Sequence, residues 1–183
     1  MNLPKRCYLK IDRRKGGYPA YLSIGSNIGN KKRNLDDAIS LLRKTKEIEV
    51  IAVSSFYMTE PQDFKAQDWF LNAALKISTN LGPEALLIVL KSLEETMDKT
   101  GKKFRFGPRA IDLDIIYYND LVFKTETLEI PHPRMHERCF VLVPLCDIGP
   151  KEIHPVFNLR SDELLNKIEK KETQKVILLK EGK

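Results

Sequence analysis

Two rhythms of apolar positions run along the 183-residue chain. Leu35, Ala38, Ile39 and Leu42 recur at i, i+3, i+4 and i+7, one face of a helix that Asn30 or Asn34 can cap. Gly82-Pro83 opens a second helix, since proline suits the first helical position. Its inward stripe is Leu86, Leu87, Leu90, Leu93 and Met97, with Lys91, Glu94 and Glu95 outward. A last helix follows Ser161, with Leu164, Leu165 and Ile168 inward. Runs without helical spacing, rich in Ile, Val, Leu and aromatics, predict strands at 21–27, 47–58, 69–77, 111–118 and 176–179, and a short extended piece at 128–130. Residues 141–145 are apolar with neither rhythm and read as core. Strand, helix, strand, strand, helix, strand is the order of a ferredoxin-like α+β sandwich, a mostly antiparallel sheet with helices on its faces. That fold hosts polymerase palms, RNA-binding modules and small-ligand domains, so it leaves function open.

The candidate chemistry is densest where a Gly107-Pro108-Arg109 loop feeds the strand that carries Asp112 and Asp114. Strand side chains alternate, so the two aspartates share one face, roughly 7 Å apart at Cα, while Ile111, Leu113 and Ile115 take the other. Paired carboxylates either form a solvated polar edge or need a cation. Mg²⁺ binds through one or two carboxylates together with substrate phosphates, and the planar fork of Arg109 suits phosphate. Together they point to a magnesium–nucleotide phosphate site. The preceding stretch, 98–106, carries Lys99, Lys102, Lys103 and Arg105 and is a candidate phosphate clamp. Phe70 and Asn72 share a strand face; they are either core and edge residues or an aromatic plate beside an amide, suited to a flat heterocycle. His132 lies between Pro131 and Pro133, and a short helical turn after them would return Arg138 and Phe140 towards one region.

Composition narrows the partners. No Gly-x-x-x-x-Gly-Lys-Ser/Thr or Gly-x-Gly-x-x-Gly motif occurs, so nucleotide chemistry would proceed without a P-loop or dinucleotide fold. The net charge of +6 is concentrated in residues 1–18, where six basic side chains face only Asp12. The remainder is nearly neutral and no RNP-type aromatic octamer is present, which argues against a nucleic-acid-binding face. Residues 1–18 are expected to be a flexible basic leader, or to add a strand at 7–11, before a single domain over 19–183. Three cysteines without Cys-x-x-Cys spacing imply neither a disulfide framework nor a zinc site. With no membrane-spanning apolar run and no signal peptide, a cytoplasmic monomer is expected, binding neither membrane nor nucleic acid.

Longer motifs go further. Ser23-Ile24-Gly25-Ser26-Asn27, Ser54-Ser55-Phe56-Tyr57-x-Thr59, Phe70-Leu71-Asn72-Ala73-Ala74, Gly107-Pro108-Arg109-x-Ile111-Asp112-Leu113-Asp114 and Pro131-His132-Pro133-Arg134-Met135-x-x-Arg138-x-Phe140 occur in this order. From about Tyr21 to Pro155 the chain resembles the hydroxymethyl-dihydropterin pyrophosphokinases of folate biosynthesis. The resemblance implies transfer of pyrophosphate from ATP to a pterin hydroxymethyl group, release of AMP and use of two Mg²⁺ ions. It assigns Asp112 and Asp114 to the metals. Phe70 and Phe140 would sandwich the pterin, with Asn72 and Thr59 at its edge. Glu94, Arg109, Ile115, His132 and Arg138 would line the ATP site. Arg109, Asp112, Asp114, Lys99 and Arg105 would be catalytic. Lys99 follows Asp98 where the family commonly has Gly-Arg, so the cation that grips the phosphates could be Lys99, Lys102, Lys103 or Arg105. Two rivals remain, another Mg²⁺-dependent nucleotidyl or phosphoryl transferase and a ferredoxin-like RNA-binding module.

Overall fold

The computed structural model describes residues 17–62, 64–98, 107–169 and 174–180. The leader strand expected at 7–11 lies outside these residues, and Tyr18, counted above with the leader, instead begins β1 (Tyr18–Ser26). β1 is an inner strand of the main sheet. It pairs antiparallel with β4 (Phe70–Thr79) on one side and β5 (Asp112–Tyr118) on the other. The far edge of β4 takes both β2 (Ile48–Val53) and β3 (Tyr57–Thr59), and β10 (Val176–Leu178) adds beyond β3, giving the order β10-β3-β4-β1-β5 with β2 also on β4. Every described pairing in this sheet is antiparallel.

The single strand expected over 47–58 is therefore two. Ser54 separates them: its N–H donates to the Ala74 carbonyl at 2.9 Å and its hydroxyl accepts from Ala74 N at 2.8 Å. Those bonds keep the chain at β4 while it turns, so β3 resumes opposite Phe70 and Asn72.

Helices cover both faces. α1 (Lys31–Lys44) starts where the Asn30 side chain accepts from Arg33 N at 3.1 Å, and Arg43 and Lys44 complement the negative end of its dipole. α2 (Pro83–Met97) has proline at its first turn. Both pack Leu35, Ala38, Leu42, Leu86 and Leu90 against Ala20, Leu22, Ile24, Leu75, Leu113 and Ile115 of the sheet. One expectation fails here: Glu94 does not point outward but is 6 % exposed, on the buried stripe with Leu86 and Leu90. It faces inward because Leu113 N, on the open side of edge strand β5, donates to its carboxylate at 2.7 Å.

The opposite face receives α3 (Cys139–Ile148) and α4 (Ser161–Glu169), which bury Tyr21, Ala74, Ile116 and Tyr117 with Val141, Leu142, Leu145, Leu164 and Ile168. Core residues 141–145 thus belong to a helix, one apolar on most sides and interrupted by Pro144. Two further hairpins, β6 (Phe123–Lys124) with β7 (Glu129–Ile130) and β8 (Ile153–His154) with β9 (Leu159–Arg160), complete the chain.

β5 carries a bulge. Tyr21 pairs with Tyr117 and Leu22 with Ile115, which leaves Ile116 as the extra residue. Its carbonyl accepts from His132 N at 3.0 Å. The bulge lets Asp112 and Asp114 share a face with Ile116 and Tyr117, while Tyr118 returns to the α1/α2 core.

Candidate active site

α3 and α4 cover only part of their sheet face. Beyond them lies a cavity of about 300 Å³, floored by Ser23 and Gly25 of β1. The register sets its width. Gly25 pairs with Asp112 on one side and Asn72 on the other, and Ser23 pairs with Asp114. Asp112 and Asn72 are thus two strands apart, roughly 10 Å. At the Asn72 end stand Phe70 and Thr59, and Asn72 Nδ2 donates to Thr59 Oγ1 at 2.6 Å. Phe140, in the first turn of α3, lines the same cavity, and the Arg138 guanidinium lies over its ring at 5.3 Å. The expected short helical turn is a 3₁₀ turn, Met135–Glu137, and Arg138 and Phe140 meet after it.

Charge gathers at the β5 end, where Lys91, Arg109, His132 and Arg138 line the cavity with Asp112 and Asp114. Arg109 Nη1 donates to Asp112 Oδ1 at 2.8 Å. Burial, then the charge of Asp112, push the Asp114 carboxyl up to about 7. Desolvation would lower the Lys91 ammonium, but its bonds to Glu94 at 2.9 and 3.0 Å and the carboxylates behind hold it above its ordinary value. Burial, reinforced by Arg138, depresses His132 to about 4, so its ring is neutral near pH 7. His132 Nδ1 accepts from Arg134 N at 3.1 Å, which fixes the ring. Asp112 and Asp114 are hard oxygen donors side by side. Among the described residues no group of three or more His, Cys, Asp or Glu could hold a metal. The pair suits a cation that completes its coordination with phosphate and water, as Mg²⁺ does.

Most of the expected residues meet in this one cavity: Thr59, Phe70, Asn72, Arg109, Asp112, Asp114, His132, Arg138 and Phe140. Glu94 and Ile115 do not line it. The Glu94 carboxylate lies behind, holding the backbone between the two aspartates, and the Ile115 side chain is in the α1/α2 core. Lys99, Lys102, Lys103 and Arg105 lie outside the described residues.

Residues 21–150 match the family model of the 7,8-dihydro-6-hydroxymethylpterin-pyrophosphokinases (HPPK). The chain belongs to the HPPK family. A folic acid synthesis protein of Dictyostelium discoideum is 45 % identical over 149 residues, which cover 81 % of this chain and 22 % of that protein. The 2-amino-4-hydroxy-6-hydroxymethyldihydropteridine pyrophosphokinase of Bacillus subtilis is 43 % identical over 129 residues, 70 % of this chain and 77 % of that enzyme. The chain spans about a fifth of the length of the amoebal and fungal folic acid synthesis proteins it matches. In three dimensions it resembles a Plasmodium falciparum HPPK-DHPS crystal structure with a TM-score of 0.69 at 17 % identity, over 87 % of this chain and 47 % of that one.

Within this HPPK chain, Asn27 is a site residue whose part the motifs alone did not disclose. It is 3 % exposed; its Oδ1 accepts from Arg109 N at 2.8 Å, and its Nδ2 donates to Gln67 Oε1 at 3.0 Å. One amide thereby joins the loop that presents Arg109 to the loop that lines the far side of the cavity. Lys31 fastens that second loop through Asp68 at 2.8 Å. The signal was a buried polar residue ending a strand, which must find partners. Nothing local said that those partners lie 40 and 82 residues away.

Proposed function

We propose that the chain transfers the terminal pyrophosphate of ATP to the hydroxymethyl group of 6-hydroxymethyl-7,8-dihydropterin, releasing AMP, as a step of folate biosynthesis. One observation carries this: a two-carboxylate ledge and an aromatic–amide slot share one cavity on one sheet face. Membership of the HPPK family supports the same reaction.

Phe70 and Phe140 enclose the planar pterin, and Asn72 and Thr59 take its polar edge. Arg109, His132 and Arg138, with the backbone beside Ile115 and Glu94, hold ATP, and its outer phosphates are gripped by one or more of Lys99, Lys102, Lys103 and Arg105. Asp112 and Asp114 hold two Mg²⁺ ions, which when bound neutralise the triphosphate and orient the attacking and leaving oxygens. The hydroxymethyl oxygen forms a bond to the β-phosphorus, and the bond from that phosphorus to the α–β bridging oxygen breaks. AMP leaves with the electron pair, and the hydroxyl proton passes to solvent. Such transfer rests on positioning and charge neutralisation, which the converging cations and the Glu94 bond between the aspartates provide.

The sheet order β5-β1-β4-β2, with α1 and α2 on one face, supports a ferredoxin-like core to which β3, β10, α3 and α4 are added. We take the chain to act as a monomer, since the residues proposed for both substrates belong to one cavity within it. No helix among the described residues is long and apolar enough to cross a membrane; we place the activity in the cytoplasm.

Purified chain incubated with ATP, Mg²⁺ and the pterin alcohol is expected to yield AMP. ADP, or no nucleotide product, would refute the assignment. Asp112→Ala should abolish turnover while leaving thermal unfolding within a few degrees of wild type, and near-normal turnover would remove the metal role.

A further inference from the structure

The segment 174–180 lies beyond the family match, which ends at residue 150, yet it bonds to both walls of the cavity. On one wall, β10 pairs with β3, setting Val176 opposite Thr59. Glu60 N donates to the Lys175 carbonyl at 3.3 Å, and Leu179 N donates to Phe56 O at 2.8 Å. On the other wall, a single side chain makes the connection. Gln174 Oε1 accepts from Cys139 N at 2.8 Å, and Gln174 Nε2 donates to Glu137 O at 2.9 Å. These are the two residues that flank Arg138.

The need for such a clamp follows from what stands at the start of α3. The first N–H groups of a helix have no intrahelical acceptor and are commonly satisfied by Ser, Thr, Asp or Asn at the N-cap. Here the N-cap is Arg138, in extended conformation (φ −122°, ψ 104°), and it makes no side-chain capping bond. Its guanidinium lies over the Phe140 ring and lines the cavity. A residue committed to the cavity cannot cap its own helix, so the acceptor for Cys139 N comes from a distant segment.

We propose that Gln174 is a positioning residue for Arg138 and Phe140. Its carboxamide fixes the peptide on either side of Arg138, and β10 ties that turn to the strand bearing Thr59, so the spacing of the two walls is set from outside the cavity. The clamp rests on the pyrophosphokinase reading only for what the positioned residues do.

Gln174→Ala is expected to lower kcat about tenfold, the scale of a small misplacement of catalytic groups, and to remove hydrogen-exchange protection from the Cys139 amide. Gln174→Glu keeps the acceptor for Cys139 N but sets a carboxylate against the Glu137 carbonyl. Its activity relative to wild type should rise as pH falls from 7.5 to 5.5, because protonating the introduced carboxyl restores a donor. Leu179→Ala is the control: it removes core packing at the other end of the segment, and should lower the unfolding temperature while leaving kcat within twofold. The proposal is overturned if Gln174→Ala retains wild-type kcat and Cys139 protection, if Leu179→Ala at matched stability loses as much activity, or if the Gln174→Glu ratio is flat with pH. A wild-type chain that forms no AMP would refute the reaction instead, and Cys139 protection would still decide the clamp.

Discussion

Gly25→Ala tests how the cavity floor governs recognition of the ring. Gly25 lies between Asn72 and Asp112 in register, and a Cβ there would press on Asn72 Oδ1, closer than real Cβ atoms sit, with Phe70 Cδ1 at 3.8 Å. The obstruction is the end of a side chain, so Asn72 can swing aside; doing so breaks its 2.6 Å bond to Thr59. Losing a buried hydrogen bond and leaving a partner unsatisfied costs about 1–3 kcal/mol. The displaced amide is the group proposed to read the pterin edge, so a loss of the same size should appear in binding, roughly 5- to 150-fold in Kd at about 1.4 kcal/mol per factor of ten. Alanine is better suited than glycine to an element interior by about 0.5–1 kcal/mol, which offsets part of the folding cost. The unfolding temperature should therefore move by only a few degrees. Calorimetric titration with the pterin alcohol, and separately with Mg²⁺ and a non-hydrolysable ATP analogue, separates the effects. An unchanged pterin Kd, or equal losses for pterin and nucleotide, would show that Gly25 does not control the Asn72 amide.

Other consequences follow from neighbouring groups. Phe140→Ala should weaken pterin binding by about 1 kcal/mol or more beyond any change in ATP binding, since the ring is a stacking plate; calorimetry showing equal losses would contradict the sandwich. His154, 4 % exposed and stacked on Phe157 at 4.4 Å, is depressed to about 4 by burial and then by His136, and its Nδ1 accepts from Val156 N and Phe157 N at 3.2 and 3.3 Å. It is neutral in the fold with a folded value below its unfolded one. Its stabilising contribution is thus complete above about pH 6.5 and lost as pH falls towards 4. The stability difference between wild type and His154→Asn should shrink over that window in denaturant titrations, and an NMR midpoint for the His154 ring near 6.5 would contradict it.

The sequence was most legible where a local period and a local need coincide. Alternation around Leu113 placed Asp112 and Asp114 together, and the i, i+3, i+4 spacing found α1, α2 and α4. It failed where a residue serves a partner distant in sequence. Glu94 looked like an outward charge because helical spacing cannot show that β5 would present an unpaired N–H at Leu113. α3 escaped notice because a helix buried on most sides loses the polar face that betrays its period, and it carries Pro144, a residue disfavoured in helix interiors. Ser54 likewise reads as strand until its pair of hydrogen bonds to Ala74 is seen.

The extra residue in β5 has a bearing on how this chain can change. Upstream of Ile116 the strand serves chemistry, and downstream its two tyrosines anchor opposite cores. Removing that single residue would rejoin the halves in phase: Ile115 would run directly into Tyr117 opposite Leu22 and Tyr21, and every other side chain would keep its side. The losses would be local, the Ile116 side chain beside Tyr117 and Leu142 and the carbonyl that receives His132 N. Deleting Leu113 instead would turn Asp112 over into the hydrocarbon beneath α1 and α2, so length should be more negotiable at the bulge than elsewhere in β5.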